Sequence, residues 1–156
     1  MLYSSMILPY LNYSIETWFG ACQTDCNKIF VLQKKAMRAI HNLPFNAHTN
    51  DYFKANRILK IHDLYKLNIC SLVYRYTLCP NDLPSSTRFQ SNANIHAYNT
   101  RHSNDLVVPR YNLTKSQKSF VYNSIHAWNS LPEEITSSNS IKSFKMRLKD
   151  YYCSLY

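Results

Sequence analysis

Apolar residues recur at helical spacing along most of the chain, and the stretch over residues 27–43 shows the pattern best. Its apolar positions step by three and four residues and predict one buried helix face: Ile29, Leu32, Ala36, Ala39 and Leu43. Thr24 or Asp25 is expected to cap this helix, and Pro44 to end it. The opposite arc carries basic or titratable side chains: Lys34, Lys35, Arg38 and His41.

The neighbouring stretches predict two further helices. Residues 2–17 are apolar at near-helical spacing, and Pro9 is expected to end or kink this helix. Gly20 then closes the segment as a helix stop. Residues 45–57 are polar and predict irregular structure. A long helix is expected over residues 59–78, before the prolines of the following loop.

Helical spacing resumes over residues 114–131. Two capping boxes are predicted to mark helix starts: Thr114 with Gln117, and Ser130 with Glu133. Trp128 therefore lies at an elbow between two helices, where a core role is expected because a tryptophan ring buries about 150–250 Å². A final helix follows from Ser140, with an apolar face of Ile141, Phe144, Leu148, Tyr151 or Tyr152, and Leu155.

These elements together predict a mainly α fold with little or no sheet. The chain has a single glycine, Gly20, which argues against tight hairpins that need glycine at positive φ. Residues 85–113 are rich in serine and asparagine and predict an irregular connector. The chain is therefore expected to form two small helical modules, residues 1–84 and residues 114–156, joined by that connector.

Positive charge is spread along the whole chain, with 18 Lys and Arg against 9 Asp and Glu and a net charge of +9. Such a spread suits a polyanion laid across a surface, although a merely soluble basic protein fits the composition equally well. The basic arc of the helix over residues 27–43 also has two interpretations, a solvated face or a stripe that faces phosphates. Lys34, Lys35 and Arg38 lie within five residues without an acid to pair them, which favours the second.

Further cations extend the candidate nucleic-acid interface. In the connector, Tyr98 is close to Arg101 and Tyr111 is next to Arg110, which combines phosphate contacts with planes for base stacking. The last helix adds a further set of cations: Lys142, Lys145 and Lys149. Because the chain has 13 tyrosines, some tyrosines are expected to lie next to a cation by chance alone.

Candidate catalytic chemistry is sparse. The adjacent acids Glu133 and Glu134 are explained by the start of a helix. No two aspartates have the tight spacing that binds a pair of magnesium ions. We therefore expect no metal site, no cofactor and no small-molecule substrate.

The cysteines and the apolar stretches of the chain indicate where in the cell the protein is expected. The five cysteines have irregular spacing and no signal peptide precedes them, which predicts reduced thiols in an intracellular protein of the nucleus or cytoplasm that is not secreted. No apolar run reaches the roughly 20 residues of a membrane span, so no membrane partner is expected.

Five stretches, taken in order, resemble the C-terminal part of the reverse transcriptase of non-LTR retrotransposons, the LINE-type or jockey-like elements. They are LYSSMILPYLNYSIETW at residues 2–18, LQKKAMRAI at 32–40, YNTR at 98–101, WNSLPEEI at 128–135 and SIKSFKMRLKDYY at 140–152. The resemblance implies that residues 1–84 form a thumb-like module that grips template and primer, and that the rest is a C-terminal extension. The paired aspartates of the family's catalytic palm have no counterpart here, so the resemblance implies no enzymatic activity for this chain.

The leading hypothesis is therefore a catalytically incomplete fragment of an RNA-directed DNA polymerase. It is expected to contact template–primer nucleic acid, such as an RNA–DNA hybrid, through basic helix faces. The alternative is a helical fragment that packs on a missing polymerase palm domain and binds nothing alone, which predicts an exposed apolar patch on residues 2–18. An unrelated protein-interaction domain is a third hypothesis.

Overall fold

The computed structural model describes residues 2–20, 23–79, 89–95 and 103–156. The helices of these residues are α1 (Leu8–Asn12), α2 (Ile15–Trp18), α3 (Gln23–Ile40), α4 (Asn50–Ala55), α5 (Ile61–Leu78), α6 (Thr114–Gln117), α7 (Phe120–Asn129), α8 (Glu133–Thr136) and α9 (Ile141–Ser154). Within the same ranges, strand pairing is confined to an isolated antiparallel bridge between Ser91 and Leu106. The predicted mainly α fold with little or no sheet is therefore confirmed.

The chain divides into two compact units. The first consists of Met1–Asn68 and Lys145–Tyr156, and the second of Ile69–Phe144. Helices α5 and α9 each contribute residues to both units. The predicted module boundaries at residues 84 and 113 stay a prediction.

The first unit opens with a helical segment that continues through a proline. Tyr3–Ile7 is a π-helical turn, and α1 follows with Pro9 in its first turn. The missing N–H of a proline costs little in a first turn, so the segment changes its hydrogen-bonding type there and does not end. The segment closes next to Gly20 as expected, since α2 ends at Trp18 with Phe19 as its cap, although the glycine itself has no positive φ.

Helix α3 buries a different face from the predicted one. Its buried residues are Cys26, Gln33 and Met37, whereas Leu32, expected in the core, is 60% exposed. Both faces have helical spacing, and hydropathy alone favours the more apolar one. The polar Gln33 lies inside because its amide hydrogens and its carbonyl oxygen all have partners. With Gln33 buried, the helix is rotated about its axis relative to the orientation that the apolar spacing predicts.

The side chain of Gln33 joins three segments of the first unit. Its Nε2 donates to the hydroxyl of Tyr3 at 2.7 Å and to the carbonyl of Leu59 at 2.9 Å. Its Oε1 accepts from the backbone N–H of Ile61 at 3.0 Å. Because a buried polar group without a partner is costly, these bonds hold the N-terminal segment and the start of α5 against α3.

A short helix, α4, lies where irregular structure was expected. Its Phe53 is fully buried, in one cluster with Tyr3, Met37 and Ile58. The expectation of wholly irregular structure over residues 45–57 is therefore wrong. A helix of six residues is too short to show a spacing pattern or to be stable alone, and here the packing of Phe53 stabilises it.

Tyr156 is held in the first unit from several sides. Its hydroxyl donates to Oδ2 of Asp63 at 2.8 Å and accepts from the backbone N–H of Lys60 at 2.8 Å. The Nζ of Lys60 lies 4.0 Å from the centroid of the tyrosine ring, and the Nζ of Lys54 donates to the Tyr156 carbonyl at 3.1 Å. Burial is the main reason why the pKa of Tyr156 lies well above its ordinary value.

Replacing Tyr156 with phenylalanine is expected to reduce the loss of stability at high pH. The folded state favours the neutral hydroxyl, so its contribution is complete below about pH 10 and falls at higher pH, once the unfolded tyrosine ionises. Because the side chain is partly solvated, the difference in slope should stay below about 1.4 kcal/mol per pH unit. Urea unfolding of both proteins between about pH 8 and pH 11 measures it, and equal slopes would contradict this role of the hydroxyl.

Three aromatic rings form the centre of the second unit. The ring of Phe144 is fully buried and stacks on that of Tyr74, with centroids 4.6 Å apart. It also stacks on the ring of Trp128, at 5.7 Å. The Tyr74 hydroxyl donates to the backbone carbonyl of Ser138. Trp128 is 9% exposed, so the prediction that it belongs to the core is confirmed.

The caps of the helices in this unit differ from the predicted ones. Ser130 donates to a carbonyl in the last turn of α7, and α8 begins at Glu133 with no side-chain cap. Thr114 is the first residue of α6 and not its cap. The cap of α7 is Ser119, which accepts from the N–H of Tyr122 at 3.4 Å. Both predicted capping boxes are wrong, because Leu113 precedes α6 as its cap residue and Pro132 precedes α8. The helix expected over residues 114–131 is also divided, since α6 ends at Gln117 and α7 begins at Phe120.

The described part of the predicted connector folds back on itself. Beside the bridge between Ser91 and Leu106, the N–H of Asn92 donates to the carbonyl of Asp105 at 2.9 Å. The side chain of Asn129 binds both backbone groups of Leu106, accepting from its N–H at 2.9 Å and donating to its carbonyl at 2.8 Å. The side chain of Asn129 thus takes the place of a further strand, because it satisfies the backbone groups of Leu106 that do not bond to the segment around Ser91.

Helix α9 follows its prediction in the middle and departs from it at the ends. Phe144, Leu148 and Tyr152 are buried. Ile141 and Leu155, also expected on the apolar face, are 37% and 65% exposed. Spacing places all five on one side of a helix, but only neighbouring elements decide how far along the helix that side is covered.

Candidate nucleic-acid interface

Helix α3 holds three cations of the predicted interface on one rigid element. Lys34 and Lys35 each lie three or four residues before Arg38, so that these side chains are neighbours on the helix surface. Lys35 lies away from the buried Gln33 and is exposed. Lys34 and Arg38 are half-buried. Of these three cations, Lys35 is therefore the one that a ligand reaches most easily.

Lys34 is partly engaged by an aromatic ring of its own helix. Its Nζ lies 4.6 Å from the centroid of Phe30, one helical turn earlier. A cation over the face of a phenylalanine ring is attracted by the electrons of that face. The contact orients Lys34 and leaves its ammonium charge without a neutralising acid.

Arg38 ties the end of α3 to the following turn. Its Nε donates to the carbonyl of Ala47 at 2.9 Å. The helix ends where Asn42 takes a left-handed conformation with φ of 51°, and the N–H of Leu43 closes the end by donating to the Arg38 carbonyl at 2.9 Å. One guanidinium donor is thus used for structure, while the remaining donors stay available for an anion.

His41 is packed into the first unit. Its ring lies 4.9 Å from that of Tyr52, and its Nε2 is 3.2 Å from Nδ2 of Asn56. These contacts place the imidazole in a structural role at the end of α3, beside the cations that the sequence grouped with it.

The three cations Lys34, Lys35 and Arg38 of α3 have no acidic partner among the described residues. Salt bridges in this part of the chain join Lys28 to Asp25 at 2.9 Å, Lys66 to Asp63 at 3.9 Å, and Arg57 to Asp150. Lys34, Lys35 and Arg38 take part in none of them. Their positive charge is therefore not neutralised by any acid of the described chain, as a phosphate-binding surface requires.

The other predicted residues lie on separate elements. In α9, Lys142 and Lys145 are exposed and Lys149 is half-buried, at a spacing that aligns the three along the helix. Arg110 is exposed in the segment before α6. Arg101, with its neighbour Tyr98, lies outside the described residues.

Sequence patterns did not indicate the large cleft of the second unit. It has a volume of about 840 Å³, and its walls include the rings of Tyr76, Phe89 and Trp128 and the carboxylates of Asp105 and Glu133. None of the predicted cations lines it among the described residues. Its lining comes from segments far apart in the chain, which no local pattern connects.

Three further findings concern chemistry that the sequence did not favour. In the described residues, no cluster of three or more histidine, cysteine or acidic side chains has the arrangement that holds a metal ion. Cys26, Cys70 and Cys153 are buried cysteines outside any disulfide bond, and Cys79 is an exposed one. None of the described helices is both long enough and apolar enough to cross a membrane.

Comparisons with known proteins give one partial similarity. No protein-family model matches the chain, and no solved structure gives a significant match. Over 82 residues the chain is 28% identical to the RNA-directed DNA polymerase from mobile element jockey of Drosophila melanogaster, a stretch that covers 53% of this chain and 9% of that protein. The chain is thus distantly similar, over about half its length, to a small part of a retrotransposon polymerase.

Proposed function

We propose that this chain is a non-catalytic part of a retrotransposon RNA-directed DNA polymerase and that it contacts template–primer nucleic acid through α3. The observation that carries the proposal is the set of cations on α3, Lys34, Lys35 and Arg38, which have no acidic partner in the described chain. The partial similarity to the jockey polymerase supports the polymerase context. In this proposal residues 1–84 act as the thumb.

The physical reason is electrostatic. Nucleic acid carries a dense row of phosphates with condensed counterions, and cations that replace these counterions gain free energy from their release. Lys35 and Arg38 lie on a helix whose opposite side is anchored by the buried Gln33. Their charges are thus held in a fixed spacing before binding, which reduces the entropy lost in the complex.

The absence of catalysis is part of the same proposal. It rests on the sequence, in which the paired aspartates of the family's palm have no counterpart. Phosphoryl transfer needs acids that hold two metal ions close together. Incubation with primed template, nucleotides and magnesium is expected to give no primer extension, and any extension by this chain would overturn this part of the proposal.

Binding of an RNA–DNA hybrid across a salt series tests the proposal. With about 3–5 phosphate contacts, the logarithm of the binding constant should fall with the logarithm of salt concentration at a slope near −2 to −4. Fluorescence anisotropy of a labelled hybrid measures the slope. No binding at low salt, or a flat response, would contradict the proposal.

Replacing Lys35 with alanine is expected to make that slope shallower by about 1 and to weaken binding at low salt, because one phosphate contact is lost. The matched control is Lys28→Ala on the same helix, since Lys28 is also exposed but paired with Asp25 at 2.9 Å. Both positions are on the solvent side of α3, so neither change should unfold the helix. Equal effects of the two variants would show that α3 attracts nucleic acid only through its net charge, and that Lys35 makes no specific phosphate contact.

The alternative function is packing against another protein domain, and it predicts no binding of the labelled hybrid at any salt concentration. It also predicts an exposed apolar patch on residues 2–18, where Leu2, Met6 and Tyr10 are 62%, 63% and 81% exposed. Sedimentation at rising protein concentration would then show self-association. Salt-dependent binding by a monomer would exclude this alternative.

A further inference from the structure

The turn that follows α3 is rigidly built. Within it, the N–H of Ala47 donates to the carbonyl of Pro44 at 3.0 Å. The Nε of Arg38 donates to the carbonyl of Ala47 at 2.9 Å and fastens the turn to the helix. Pro44 also restricts its own φ. The conformation of residues 44–47 is therefore determined by the same arginine that contributes to the basic surface.

Phe45 lies in this turn and is 81% exposed. A phenylalanine ring this exposed gains little from folding, because most of its apolar area remains in water. The ring is thus available to any partner that covers it, at little conformational cost, because its backbone is already ordered.

The neighbouring charges restrict the kind of partner. Arg38 binds the turn directly, and Lys35 lies one helical turn before Arg38. No acid of the described chain pairs with either of them. An exposed aromatic ring on a turn that is bonded to a cation suits a ligand with a flat ring next to a phosphate. This is the chemistry of a nucleotide whose base is not covered by a pairing neighbour.

We propose that Phe45 stacks on an unpaired nucleobase at a single-stranded end or junction of the nucleic acid whose phosphates contact Lys35 and Arg38. The inference rests on the proposed function and adds a preference for an unpaired base. In the middle of a duplex each base is covered on both faces, so the ring has no free plane to stack on. At an overhang the first unpaired base leaves one face open, and the ring covers it.

Two labelled hybrids test the inference, one blunt-ended and one with a short single-stranded overhang, each with wild-type protein and variants. Phe45→Ala is expected to weaken binding to the overhang hybrid by about 5- to 100-fold, the range for one lost base–aromatic stack. It should weaken binding to the blunt hybrid much less, because only the terminal base pairs of that hybrid have an open face. Phe45→Trp should retain or strengthen overhang binding. Phe45→Leu keeps an apolar side chain without a flat ring, so it should resemble alanine.

Tyr10→Ala is the matched control, since Tyr10 is also 81% exposed but lies in α1. It should not change the preference for the overhang. If wild-type protein binds neither hybrid, the proposed function fails. If it binds both with the expected salt slope and Phe45→Ala weakens both equally or neither, the proposed function stands and the stacking inference is wrong. Retained overhang binding in Phe45→Leu would also overturn stacking, since leucine has no aromatic plane.

Discussion

Replacing Gln33 with leucine is expected to lower the free energy of unfolding by about 3–5 kcal/mol, although the change adds an apolar side chain to the interior. The hydroxyl of Tyr3, the carbonyl of Leu59 and the N–H of Ile61 all lose their partner at once. Each buried polar group left without a partner costs about 1–3 kcal/mol, and the gain from burying leucine offsets only part of this sum. Urea unfolding monitored by far-UV circular dichroism measures the difference.

Two control variants separate this network from a general effect of hydropathy. Tyr3→Phe removes one hydroxyl and should cost about 1–2 kcal/mol. Leu32→Gln makes the reverse change on the exposed side of α3, where Leu32 is 60% exposed, and should change stability by less than about 0.5 kcal/mol. A stabilising Gln33→Leu together with a strongly destabilising Leu32→Gln would mean that α3 buries the face that hydropathy favours.

Replacing Trp128 with alanine is expected to cost about 3–5 kcal/mol in the stability of the second unit. The indole stacks on Phe144 at 5.7 Å and lies 6.4 Å from the ring of Tyr74, and Trp128 is 9% exposed. Its removal leaves a cavity bordered by two rings that cannot close it without leaving their own stacking geometry. Far-UV circular dichroism in urea measures the loss.

In the Trp128→Ala variant, the fluorescence of the remaining tryptophan, Trp18, measures the unfolding of the first unit in the same sample. Trp18 belongs to the first unit, so its fluorescence reports that unit after Trp128 has been removed. Trp128→Phe keeps an aromatic ring in the stack and should cost about 1–2 kcal/mol. If Trp128→Ala unfolds at the same urea concentration as wild type, the indole is not part of a packed core.

Short-range patterns were sufficient for the elements whose stability is largely local. The spacing of apolar residues predicted α5 and α9 and a mainly α fold, and Trp128 was correctly assigned to the core. The same spacing predicted the existence of α3 together with its cations. A period of 3.6 residues is a property of the helix itself, so it leaves a trace in any stretch long enough to show it.

The candidate interface was predictable only in part. Lys34, Lys35 and Arg38 were identified from the sequence as one basic arc, but the sequence did not distinguish the exposed Lys35 from the half-buried Lys34 and Arg38. The sequence assigns Phe45 to a polar, irregular stretch and gives no signal of its exposure. The turn that carries Phe45 is held by a bond from Arg38 to the carbonyl of Ala47, nine residues later in the chain, and such a contact has no local signal.

The sequence by itself determined that this chain forms helices, where the long ones lie and that they carry excess positive charge. Only the tertiary structure decided which side of α3 is buried and how far along α9 the apolar face is covered. For α3 that decision was made by Gln33, since an amide enters a core only when distant groups satisfy it, and those groups come from Tyr3, Leu59 and Ile61. The caps were ambiguous for a local reason, because a serine that can begin one helix can equally end another, as Ser130 does by donating to the carbonyl of Ala127. Hydrogen-bond partners that are distant in sequence thus set the direction in which the cations of α3 point.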